Sequence, residues 1–242
     1  MARNYNKEFS DTDDRKYAYD IDYVMRDMMM STFSPFINGG KALELGCYNG
    51  EFTKRIAPYF SEVTVVEAAS ELIEEAQELT DGSVTFINDV FEKVELSDKF
   101  DAIFLSHTLE HLDDPQLVLK RIKGWLSDTG KLFLICPNAN AASRQIAVNM
   151  GLIDSNQAVT AGEAEHGHRK TYSLDTLVEE ASKAGLNVLD HGGVFFKPLA
   201  NYQLDKALET GIIDNAFLDG CYKLGKRYPD LCASVYTICT KN

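Results

Sequence analysis

No two of the five cysteines (Cys47, Cys136, Cys221, Cys232 and Cys239) stand at C-x-x-C spacing, and the set is odd. That argues against a cysteine zinc site and against a disulfide framework. Reduced thiols are the expectation, with Cys136 and Cys239, in apolar runs, as small core residues. Long apolar runs are missing too. The stretch 132–136 is among the most apolar, and it falls far short of the roughly 18 residues that cross a bilayer. The opening MARNYNKEFSD has no apolar segment behind Arg3, so a signal peptide is not expected and a cytoplasmic location is. Cations are scarce: 24 Lys and Arg face 37 Asp and Glu, a net charge of −13. Such a surface repels phosphate backbones and anionic membranes, so neither is an expected partner. Repeats, low-complexity tracts and Gly/Ser-rich linkers are also absent, which leaves one domain over 1–242.

What is present is ordinary globular material, 45% hydrophobic and 25% charged, in 242 residues that can bury a sizeable core. From residue 41 onward, short continuous apolar runs alternate with helical patterns. Strands are expected at 41–45, 63–67, 84–87, 100–105 and 131–136, with helices at 51–59, 70–79 and 115–126 between them. Continuous apolar strands separated by helices mean a parallel sheet covered on both faces. Before it, 17–33 reads as a helix stopped by Ser34-Pro35 and Asn38-Gly39-Gly40. After it, 138–171 reads as helix and loop, and 172–184 as a helix with Ser173 as N-cap and Gly185 as its stop. Late strands are expected at 188–196 and 234–240, with a helical segment over 200–228. The segments 138–171 and 200–228 are read as insertions over a substrate pocket, and 1–40 as a helical lid in which Tyr5, Tyr17, Tyr19 and Tyr23 could cover a ligand.

The most informative stretch is Leu43-Glu44-Leu45-Gly46-Cys47-Tyr48-Asn49-Gly50, where a strand ends, the chain turns tightly and a helix begins. Glycines let backbone approach a ligand, and a helix start offers free N–H groups. The next strand ends in Glu67, a carboxylate placed to hold two ribose hydroxyls. Together these features mark a nucleoside cofactor site. A G-x-G-x-x-G dinucleotide fingerprint would need glycine at Tyr48, and no Gly-Lys-Ser/Thr phosphate loop occurs.

These residues resemble the class I S-adenosylmethionine-dependent methyltransferases, whose first strand ends acidic-x-Gly-x-Gly-x-Gly. Glu44, Gly46 and Gly50 match that pattern, and Tyr48 departs from it. Glu67 matches the family's ribose-binding acid, and Asp89 the residue that contacts the adenine amino group. Phe100–Phe104 and Leu126–Lys131 match the fourth strand and the turn into the fifth. The resemblance implies a Rossmann-like α/β fold: a seven-stranded, mostly parallel sheet with helices on both faces and its last strand antiparallel. It also implies S-adenosylmethionine as cofactor and S-adenosylhomocysteine as product, held by Glu44, Gly46, Cys47, Gly50, Glu67, Ala68, Asp89, Val90 and Ser106.

The acceptor reaction needs an oriented nucleophile and, for a hydroxyl, a base. Histidine suits that role at neutral pH. His107 and His111 follow the fourth strand, and His166 and His168 lie in Glu165-His166-Gly167-His168-Arg169-Lys170. The stretch Glu110-His111-Leu112-Asp113-Asp114-Pro115 resembles a turn of ubiquinone-pathway methyltransferases, which makes His111 either a turn-fixing residue or a catalyst. His107 and His168 are the base candidates, and a small molecule or glycan unit methylated at oxygen is the expected acceptor. Arg144, Arg169, Lys170 and Lys197 could meet an acidic acceptor. His107-Thr108-Leu109-Glu110-His111 also spells the inverted zinc-peptidase motif H-x-x-E-H, but Pro115 leaves no room for the continuous helix that motif needs. No metal is predicted, although His107, Glu110, His111 and Asp114 could hold a divalent ion. An NAD-dependent oxidoreductase, a cofactor-binding protein without turnover and, remotely, a metallohydrolase stand as alternatives.

Overall fold

A computed structural model describes residues 19–80 and 82–242. Seven strands, β1 (Lys41–Leu45), β2 (Glu62–Glu67), β3 (Val84–Asn88), β4 (Phe100–Ser106), β5 (Leu126–Pro137), β6 (Asn187–Phe196) and β7 (Cys232–Thr240), form one sheet in the order β3-β2-β1-β4-β5-β7-β6. Pairing from β3 across to β5 is parallel, and β7 runs antiparallel to both β5 and β6. The strand order reverses between β1 and β4, the place where open α/β sheets bind ligands at their carboxyl ends.

Alternation along the strands builds two cores. Ala42, Ala102, Phe104, Phe133 and Ile135 face a layer with Met25, Met29 and Phe33 of helix α1 (Asp20–Phe33). Leu43, Leu45, Ile103, Leu105, Leu132 and Leu134 face the other layer, under Val118, Leu119 and Ile122 of α4 (Pro115–Trp125) and Leu177 of α7 (Leu174–Lys183). This period of two, with both faces buried, is why the central strands β4 and β5 read as largely apolar runs. Phe104 stacks on Phe133 with ring centroids 4.8 Å apart, and Phe33 tilts onto Phe133 at 5.3 Å.

Local departures have local causes. The helix expected over 51–59 is one α turn, α2 (Thr53–Ile56), followed by a 3-10 turn, Ala57–Tyr59, because Pro58 cannot donate to a continued helix. Ser173 does sit at the N-cap of α7, and Gly185, at φ +78°, ends it. Asp101 and Asn138 are ties between strands. Asp101 accepts from Lys41 N and Ser127 Oγ, and Asn138 Nδ2 donates to Asp230 O and Cys232 O.

Between β5 and α7 lie α5 (Ala142–Asn149) and α6 (Ala161–Glu165); between β6 and β7 lie α8 (Asn201–Glu209) and α9 (Asn215–Gly225). α8 braces α1: both carboxylate oxygens of buried Asp205 accept N–H groups of α1's first turn, from Asp20 and Ile21. All five cysteines are buried free thiols. Among the described residues, no helix is long and apolar enough to cross a membrane.

Candidate functional site

The carboxyl ends of β1, β2 and β4 open onto a cavity of about 530 Å³. Its walls come from the turn after β1, from Glu67 and Ala68, from Val90, Phe91 and Glu92 after β3, from Ser106, His107 and Thr108 at the end of β4, from α1, and from 164–169. The turn after β1 is shaped by close approaches. Gly46 has φ +81°, and a side chain there would meet Thr108 Oγ1 at 2.8 Å; its N–H donates to Val66 O. Gly50 has φ +83°, and an added Cβ would lie 2.7 Å from Cα of Ala76 in α3 (Ser70–Leu79). Gly50→Ala is therefore expected to destabilise the fold by about 2–5 kcal/mol, from left-handed strain plus a backbone collision. Thermal unfolding would show it as a drop of several degrees.

Glu67 holds the turn together. Its Oε2 accepts Cys47 N–H at 3.2 Å and its Oε1 accepts Ala69 N–H at 3.0 Å. Burial raises its pKa, while N–H groups of Ala69, Ala68, Cys47 and Tyr48 pull it back down. Glu44, at 1% exposure, takes a 2.6 Å hydrogen bond from Thr53 Oγ1, and burial pushes its carboxyl up to about 8. Its Oε1 has no partner, and neither does the buried Nη1 of Arg26, which reaches the cavity from α1. An orphan acceptor and an orphan cationic donor in one cavity could take the ammonium and carboxylate of an amino acid. Together with Glu67 for ribose hydroxyls, this donor set fits S-adenosylmethionine.

Of the expected cofactor residues, Glu44, Gly46, Cys47, Glu67, Ala68, Val90 and Ser106 line the cavity. Gly50 and Asp89 do not. Gly50 serves the approach of α3, and the Asp89 carboxylate accepts the N–H of Val90 at 2.8 Å. The expected lid contributes Asp22, Met25, Arg26 and Met29, one helix face at i, i+3, i+4 and i+7. Arg26 was not singled out from sequence. Its signal was a lone cation on the edge of a methionine-rich helix face, and only the packing of α1 over β4 turns that edge inward. Tyr5 and Tyr17 lie outside the described residues, and Tyr23 supports Arg26, whose guanidinium stands 5.3 Å from its ring centroid. The segment 200–228, expected over the acceptor, contributes nothing to this wall; it braces α1 instead.

The histidines separate into two settings. His107, at φ +49°, puts Nε2 2.9 Å from Ser234 Oγ of β7, and burial pushes its pKa down to about 3, helped by the charges of Arg26, His168 and Lys197. His168 stands edge-on to His111, ring centroids 4.6 Å apart, and burial lowers its pKa while Glu163 opposes the shift. The H-x-x-E-H stretch is no continuous helix: His107 follows β4, and Leu109–His111 is a single 3-10 turn. The divalent-ion cluster considered from sequence also regroups. His107 is taken by Ser234, and Asp114 caps α4 through Leu117 N–H. Ligand atoms of Glu110, His111 and His168 instead lie within 4.8 Å of one another, with both Glu110 oxygens buried and unpartnered. Two imidazoles and a carboxylate could hold a first-row transition metal ion. The cations expected near the acceptor are mostly occupied: Arg144 by Glu163, Lys170 by Glu180, Lys197 by Asn201; Arg169, on the wall, also pairs with Asp113.

The family described as a methyltransferase domain matches residues 17–191. The ubiquinone biosynthesis O-methyltransferase of Coxiella burnetii (strain RSA 493 / Nine Mile phase I) is 26% identical over 169 residues, covering 68% of this chain and 71% of that protein. The enzyme of the same name from Xanthomonas axonopodis pv. citri is 26% identical over 170 residues, covering 67% and 69%. Among solved structures, a possible histamine N-methyltransferase from Thermotoga maritima superposes with a TM-score of 0.62 at 15% identity, covering 98% of this chain and 96% of that one. The N-methyltransferase NodS from Bradyrhizobium japonicum, in complex with S-adenosylhomocysteine, gives 0.56 at 14% identity, covering 97% and 92%. At such identities the structural likeness shows the fold, and the family match carries the assignment. With the strand order, the turn after β1 and the Glu67 carboxylate in place, this chain belongs to the class I S-adenosylmethionine-dependent methyltransferases.

Proposed function

We propose that this protein methylates a hydroxyl of a small molecule or glycan unit, with His168 as general base. The observation that carries the proposal is the His111–His168 pair on the wall of the same cavity as the β1 turn. The ubiquinone O-methyltransferase relatives support an oxygen acceptor, and the net charge of −13 discourages a polyanionic one. When bound, the cofactor supplies a methyl group on a sulfonium whose leaving group is neutral. Glu67 holds the ribose hydroxyls, and Arg26 and Glu44 hold the carboxylate and ammonium of the amino-acid end. What is left for the protein is to orient the acceptor oxygen and remove its proton. His168 suits that step better than His107, because a base works best with a pKa near the operating pH and His107 is held near 3. His107 then acts as a neutral wall residue hydrogen-bonded to Ser234.

The test is incubation with S-adenosylmethionine and a panel of phenols, catechols, sugars and amines, read by mass spectrometry. One O-methylated product with an equal amount of S-adenosylhomocysteine supports the proposal. Product from amines alone overturns the oxygen assignment. Tight S-adenosylhomocysteine binding with no turnover on any acceptor points to a binding protein.

A further inference from the structure

Three non-glycine residues of the described chain have positive φ: Tyr48 at +50°, His107 at +49° and Phe195 at +65°. Phe195 is fully buried in the core, away from the cavity wall. Tyr48 is different. It lies in the β1 turn between Gly46 and Gly50, and it lines the cavity. Left-handed backbone costs a residue with a Cβ about 1–2 kcal/mol, and the flanking left-handed positions of this turn are glycines. A glycine at Tyr48 would remove that cost and match the family pattern. Strain kept where glycine would relieve it points to a use for the side chain.

The surroundings of the ring indicate the use. Burial raises the pKa of its phenol; Glu75 of α3 and Tyr23 of α1 push the same way, and Arg26 of α1 opposes them. Tyr48 shares the cavity wall with Arg26 of α1, whose buried Nη1 makes no hydrogen bond. The other orphan, Glu44 Oε1, belongs to the strand just before the turn.

We propose that Tyr48 is a cofactor-contact residue whose ring closes over the amino-acid end of S-adenosylmethionine, between the β1 turn and α1. This rests on the cofactor occupying the cavity as described. Covering that end excludes water from the pairs made by Arg26 and Glu44, and ionic hydrogen bonds strengthen as the local dielectric falls.

The experiment is calorimetric titration of wild type, Tyr48→Gly, Tyr48→Asn and Tyr48→Phe with two probes. One is S-adenosylhomocysteine. The other is 5′-methylthioadenosine, which keeps the nucleoside and thioether but lacks the amino-acid end. Tyr48→Gly should unfold at the same or a higher temperature than wild type, yet bind S-adenosylhomocysteine roughly tenfold more weakly. Its affinity for methylthioadenosine should stay within about twofold of wild type. Tyr48→Asn, a side chain that tolerates left-handed backbone, should behave like Tyr48→Gly, and Tyr48→Phe like wild type. Unchanged S-adenosylhomocysteine affinity in the glycine and asparagine variants overturns the proposal. Equal weakening of both probes does so too, by placing the ring on the nucleoside. Wild type failing to bind either probe would overturn the cofactor's placement in this cavity instead.

Discussion

Glu67→Ala is expected to abolish cofactor binding over the range calorimetry can reach. The carboxylate joins two loops, through Cys47 N–H and Ala69 N–H, and presents acceptors at the cavity. A hydrogen bond to a charged group is worth about 1.5–3 kcal/mol, so losing the two ribose hydroxyl contacts proposed for Glu67 should weaken binding by more than about a hundredfold. Glu67→Gln should be nearly as damaging. Its amide NH₂ would face one of the N–H groups that now donate to an oxygen, setting donor against donor. The pH dependence follows from the direction of the shift. Burial raises this carboxyl above the ordinary glutamate value, against the opposing pull of the backbone N–H groups. Affinity should therefore be full above that raised pKa and fall as pH drops through it, sooner than for an exposed glutamate. Titrations with S-adenosylhomocysteine from pH 8 downward would show this, and affinity within tenfold of wild type for Glu67→Ala would place the ribose contacts elsewhere.

His168→Ala should lower kcat by about two to four orders of magnitude, the usual worth of a positioned base, with S-adenosylhomocysteine affinity nearly unchanged. A base must be deprotonated to act, so kcat rises with pH through its pKa and is flat above. Burial lowers His168 below the ordinary 6.5, so the acid limb should fall below that value and vanish in the alanine variant. Were His107 the base, the limb would lie near 3 and the rate would be level from pH 5 to 8. His107→Ala is expected to cost about tenfold or less, through the lost Ser234 hydrogen bond. A level profile in wild type, or a larger loss in His107→Ala than in His168→Ala, would reverse the assignment.

Much of the fold was legible because both faces of the sheet are covered. Residues 102–105 and 132–136 are unbroken apolar runs, and Gly46 and Gly50 mark the two positions of the turn where an added Cβ would collide with its neighbours. Helix ends written in local chemistry were legible as well, Ser173 and Gly185 among them. The helix over 51–59 was overestimated, since apolar periodicity does not register that Pro58 withholds a donor.

The site was legible in part. Sequence by itself determined the elements that present Glu44, Gly46, Glu67 and Ser106 at strand ends, because strand order and turn chemistry are local or follow from the alternation of strands and helices. It could not say which side chains from distant segments would meet. Only tertiary packing sets His168 against His111, across a segment with no strand to fix its register. Only packing turns Arg26 into the cavity, draws His107 away to Ser234, and makes the 200–228 segment a brace for α1 through Asp205. Burial also decides charge: Glu44 and Glu110 rise to about 8 and His107 falls to about 3, because the sheet and α1 remove water that a linear sequence gives no way to count.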